Sequence, residues 1–151
     1  MPSNLRRAQD EYAEFVVGAK GSLRYALTVE DAVREADLAI DFVPDELESK
    51  LEIFSLIDRM APPRTVLCTP TLALSVTDLA SCTYRAERCV GLRAAGADLL
   101  AGTLNVVRSR FLVGTIEAAV TEFLAALGLS GVVIEDELEP MLVKNALLGP
   151  R

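Results

Sequence analysis

Between residues 38 and 97 short apolar runs alternate with stretches of helical period. Residues 38–43 are apolar but for Asp41, too apolar for a strand with one wet face and too short for a buried helix, which predicts a central parallel strand covered on both faces. Pro44 stops it, and Asp45 with Glu48 three positions on has the form of a capping box. Leu47, Leu51, Phe54, Ile57 and Met60 then follow at three- and four-residue steps, with Glu46 and Lys50 spaced to pair on the polar face. Pro62 and Pro63 return the chain to extended structure. Second and third apolar runs, residues 65–68 and 88–92, flank a short helical segment. This order is that of crossover helices joining parallel strands, half of a doubly wound sheet.

The flanking regions extend the pattern. Residues 4–18 place Leu5, Ala8, Tyr12, Phe15 and Val16 on one helical face, which predicts an amphipathic helix packed on its own sheet. Gly18 and Gly21 end it, residues 23–26 suggest a short strand, and Thr28 with Asp31 caps a short helix over Val29, Ala32, Val33 and Ala36. Residues 98–107 and 131–135 read as two more strands. They flank a helix whose stripe is Ile116, Ala119, Val120, Phe123, Leu124 and Leu127, with Gly128 as its C-terminal cap. The acidic run 135–139 reads as a solvated loop and not as a metal site.

Composition narrows the function. A chain of 151 residues reads as one domain, residues 1–151, able to bury roughly two thirds of its unfolded surface. Its 51% hydrophobic content and mean hydropathy of +0.32 are high, but no apolar run approaches the ~20 residues of a membrane span. A net charge of −7 and a pI near 4.6 argue against nucleic acid and anionic membranes as partners. Cys68, Cys82 and Cys89 have no metal spacing and suit reduced thiols in a cytoplasmic protein. The absence of histidine removes His-based acid–base chemistry.

The order ADLAIDFVPDELESK, then TVLCTPTLALSVTDLA, then RCVGLR resembles the NAD-binding domain of the L-3-hydroxyacyl-CoA dehydrogenase family. That family reads D-L-V-(I/V)-E-A-(I/V)-x-E-(N/D)-L-x-x-K, then a strand ending in S-N-T-S-S-L, then F-x-G-x-H-F-F-N-P. The likeness runs without a gap over residues 36–107 and more loosely to residue 148. It implies an α/β fold: a partial doubly wound, Rossmann-like, mostly parallel sheet with flanking helices and antiparallel C-terminal strands. It implies NAD as cofactor, an acyl-CoA as ligand and a role in fatty-acid metabolism. Residues 1–27 hold no G-x-G-x-x-G turn after a strand, so on this resemblance the chain is expected to begin after the family's glycine-rich βαβ unit and to stop before its C-terminal helical domain. The strand at residues 38–43 would then lack a neighbour, and a homodimer or a partner chain completing the sheet is expected.

The resemblance also assigns letters. Phe42 and Val43 form the strand end against which the cofactor would lie, Asp45 falls where an acidic residue meets the nicotinamide ribose, and Lys50 matches the family lysine. The family's catalytic Ser, His and Glu fall on Leu72, Arg93 and Asn105, and only its Asn has a like-for-like match, at Asn145. A guanidinium stays protonated and cannot accept the substrate's proton, and a leucine has no donor. The chain is therefore expected to be inactive alone and to bind NAD weakly or not at all.

Overall fold

The computed structural model describes residues 3–15, 20–95 and 102–142. Helix α1 spans Ser3–Phe15 and α2 Val29–Val33; strand β1 is Leu38–Ile40, α3 Leu47–Met60, β2 Val66–Pro70 and α4 Val76–Ser81. After a 3₁₀ turn at Ala86–Arg88 come β3 (Cys89–Ala94), β4 (Thr103–Arg108), α5 (Gly114–Ala126) and β5 (Ser130–Glu135). The strands form one sheet in the order β1-β2-β3-β4-β5. Pairs β1–β2, β2–β3 and β4–β5 are parallel, and β3–β4 is antiparallel. The expected mostly parallel α/β sheet is present, and α5 serves as the crossover between the last two parallel strands.

Alternation within each strand builds two cores. Val66, Cys68, Val90, Leu92 and Val106 face α5, where Ile116, Val120 and Leu124 cover them. Leu67 and Cys89 face the other way, against Phe54 and Ile57 of α3 and Leu79 of α4. Both faces of β2 and β3 are thus dry, which is why their sequences are nearly continuous apolar runs. Gly91 is required by this packing, because a Cβ there would collide with Val76 of α4 and crowd Val107 of β4. Gly128, at φ +80°, turns the chain out of α5 as its C-terminal cap.

Several local expectations are corrected. The run at residues 38–43 contributes only three strand residues, all half-buried, at the outer edge of the sheet among the described residues and not at its centre. Residues 23–26 form no strand. Helix α1 forms, yet none of its described side chains is buried: with Arg6, Arg7, Asp10 and Glu11 in its first three turns, too little apolar face is left to seat it in a core. The predicted cap of α3 is also different. Glu46 is the N-cap and makes no side-chain bond there, while Asp45 reaches across to the loop after β2. Lys50 does not pair with Glu46; it turns inward to Asp41.

Candidate functional site

In an open α/β sheet the loops beyond the carboxyl ends of parallel strands collect the functional groups. The segments following β1, β2 and β3 meet in that way and are cross-tied by three charged side chains. Lys50, 1% exposed, directs Nζ to Asp41 Oδ1 (2.7 Å) and to the Pro70 carbonyl (2.9 Å), joining the end of β1 to the end of β2 through α3. An ammonium this deeply buried persists because a carboxylate lies against it. Asp45 accepts from Thr71 Oγ1 (2.5 Å) and from the backbone N–H groups of Leu72 (2.8 Å) and Ala73 (3.2 Å). Partial burial pushes its pKa up, but the bonds from Thr71, Leu72 and Ala73 and the field of Lys50 outweigh burial and hold it below the usual carboxylate value.

Arg93 is the third tie. Its Nε donates to the Thr71 carbonyl (2.9 Å), Nη2 to the Leu74 carbonyl (3.1 Å), and Nη1 meets Asp136 Oδ1 at 3.2 Å. Asp136 also accepts from the backbone N–H groups of Val76, at the start of α4, and of Leu138. The acidic run at residues 135–139 is therefore not simply a solvated loop, since its Asp136 side chain is 5% exposed and three groups converge on it. No cluster of potential metal ligands exists among the described residues.

The assigned letters fall as follows. Phe42 is 83% exposed just beyond β1, Val43 is half-buried beside it, and Asp45 and Lys50 are the ties already described. Leu72 stands 72% exposed on the loop that Asp45 holds. Arg93 and Asn105, which the resemblance sets at the family's His and Glu, are direct partners in the β3–β4 register. Asn145 lies outside the described residues. Sequence reasoning missed Asp41 and Asp136 as partners of Lys50 and Arg93, and Asp78, whose carboxylate accepts from the N–H groups of Met141 (2.7 Å) and Leu142 (2.8 Å).

Open, mostly parallel α/β sheets of this class take their ligands outside the carboxyl ends of the strands. Residues 5–138 match the family described as 3-hydroxyacyl-CoA dehydrogenase, NAD binding domain. The chain belongs to that family, whose cofactor is NAD. A probable 3-hydroxybutyryl-CoA dehydrogenase of Bacillus subtilis is 28% identical over 82% of this chain and 42% of its own length. The mitochondrial hydroxyacyl-coenzyme A dehydrogenase of Sus scrofa is 27% identical over 91% of this chain and 43% of its own. Among solved structures, a diketoreductase superposes with a TM-score of 0.72 at 27% identity, over 95% of this chain and 54% of that one. The chain spans less than half the length of these two curated relatives.

Among the described residues, Phe42 and Val43 stand just beyond β1 with apolar side chains. A pyrophosphate needs free donors, and the backbone N–H groups of Leu72 and Ala73 and the guanidinium of Arg93 already have acceptors within the protein.

Proposed function

We propose that this chain forms the nicotinamide-side part of an NAD-binding dehydrogenase fold and does not itself oxidise a 3-hydroxyacyl-CoA. The observation that supports this reading is Arg93, at the position the resemblance gives to the family's base: all three of its nitrogens are bonded, to the Thr71 and Leu74 carbonyls and to Asp136, so it neither accepts a proton nor offers a free charge. Leu72, at the hydroxyl-donor position, has nothing to give a reacting oxygen, and Asn105 supplies no negative charge.

In this reading Phe42, Val43 and Asp45 face the nicotinamide end of NAD. Lys50 acts from behind, fixing the end of β2 through Pro70, and Asn145 retains the one family letter suited to hydrogen-bonding a substrate oxygen. An acyl-CoA is the ligand class that the relatives' names suggest, and a role in fatty-acid metabolism is part of this proposal. A cytoplasmic location accords with the three free cysteines. The test is calorimetric titration of the chain with NAD at high protein concentration. No saturable signal, or a very weak one insensitive to Lys50→Ala, is expected; micromolar affinity would contradict the proposal.

A further inference from the structure

The loop that follows β2 has its backbone groups sorted by direction. The carbonyls of Thr71 and Leu74 turn to the Arg93 guanidinium (2.9 and 3.1 Å), while the N–H groups of Leu72 and Ala73 turn to the Asp45 carboxylate (2.8 and 3.2 Å). Thr71 adds its hydroxyl to the same carboxylate, and that hydroxyl is itself held by the Leu74 N–H. Successive N–H groups converging on one point make a concave seat for an anion. A cation bonded to the carbonyl side of the loop keeps the amide dipoles aimed at that seat, so Arg93 acts here as a positioning residue.

The seat opens to solvent. Asp45, Leu72 and Ala73 are all exposed, Leu72 by 72%. Asp58, Asp78 and Asp136 also accept from backbone N–H groups, but each of them is shut away from water. A carboxylate walled in by protein is scaffold, whereas one standing in water at a three-donor seat can be exchanged for another. Asp45 also lies outside α3, ahead of the N-cap residue Glu46. Its side chain can therefore leave without unwinding the helix or breaking the Lys50–Asp41 pair.

The present occupant shows which chemistry fits: one carboxylate oxygen takes the Thr71 hydroxyl and the other takes the two N–H groups. We infer that this seat binds the carboxylate group of a small molecule, and that Asp45 is its tethered occupant, closing the site while no such ligand is present. A tethered group holds a site through its high effective concentration, so an external carboxylate competes only for the fraction of time that Asp45 is away. This goes beyond the reading of the chain as part of an NAD-binding fold and does not depend on it.

The experiment follows the Leu72 and Ala73 amides of the full chain by NMR, with formate as the probe and chloride at matched ionic strength as the control. In Asp45→Ala, formate should bind saturably and restore protection from exchange at both amides, and chloride should do neither. The unaltered chain should need about tenfold more formate, or higher still, for the same effect. Asp45→Asn, which keeps the seat filled with an amide oxygen, should gain no formate binding. Adding Thr71→Val to Asp45→Ala should weaken formate about tenfold, the loss of one bond to a charged acceptor. Should Asp45→Ala be unfolded without formate, a return of its circular dichroism on adding formate, and not chloride, reads the same binding. The inference is overturned if formate has no saturable effect on Asp45→Ala, if the unaltered chain or Asp45→Asn binds it equally well, or if Thr71→Val leaves the affinity unchanged.

Discussion

Two arginines near β3, only eight residues apart, do different work at opposite ends of the strand. Arg85, just before β3, is 6% exposed; its guanidinium meets Asp58 Oδ1 (2.8 Å) and the carbonyls of Asp58, Ala61, Pro62 and Thr65. It closes the C-terminal end of α3 and pins the turn leading into β2, so its partners all lie within residues 58–65. Arg93, at the carboxyl end of β3, spans further, tying the loop after β2 to Asp136 beyond β5. The first is a clamp inside one βαβ unit. The second occupies, with similar chemistry, the place where a fold of this class usually leaves a group free for a ligand. A buried guanidinium surrounded by carbonyls reads as scaffold wherever it lies; position in the fold alone does not make it functional.

The largest effect is expected from Arg85→Leu. It leaves the Asp58 carboxylate with only the Tyr84 N–H and strips the donor from the carbonyls of Asp58, Ala61, Pro62 and Thr65, a loss of about 3–5 kcal/mol, readable as a lower urea midpoint at unchanged slope. Arg93→Leu should cost less, about 1–3 kcal/mol, because Arg93 makes three bonds where Arg85 makes five, and the backbone N–H groups of Val76 and Leu138 remain on Asp136. Equal losses would erase the distinction between the two arginines.

A pH titration sharpens the same contrast. The bonds to Asp45 lower its folded pKa below the unfolded value near ~4, so its contribution is present above about pH 4 and is lost as pH falls through the lower folded value. Protection of the Leu72 and Ala73 amides, measured against the intrinsic exchange rate at each pH, should fall as Asp45 is protonated. In Asp45→Ala those two amides should lack that protection at every pH. The smallest effect concerns thiols. Burial and the fields of Cys89 and Asp41 push Cys68 up to about 12, and burial does the same for Cys89, whereas Cys82 is exposed. A disulfide reagent at neutral pH should label Cys82 alone in the folded chain and all three cysteines after denaturation. Raised thiol pKa values also contribute stability that is complete below about pH 8.5 and fades at more alkaline pH.

How much of this was legible in the sequence follows from the range of each interaction. The α3, α5 and Gly128 assignments rest on neighbours within one or two turns, and they agree with the structure. So does the order of apolar runs, since both faces of β2 and β3 are covered. The pairing of Lys50 with Glu46 was inferred from local spacing, but the actual partner, Asp41, lies on a strand brought beneath the helix by the crossover. Asp45 likewise resembles a cap and instead binds a loop 26 residues away. Arg85 and Asp136 carried no local signal: one sits in a polar turn, the other in an acidic run, and only the fold gives them partners.

The central claim is that Arg93, at the position the resemblance gives to the family's base, is used to hold the carboxyl end of the sheet together. Its most direct test is NADH formation by the highly purified chain, at high concentration, with 3-hydroxybutyryl-CoA and NAD. No rate above the enzyme-free control is predicted. A rate that co-purifies with the chain and falls in Arg93→Leu would contradict the account, because it would mean that the bonded Arg93 takes part in the chemistry.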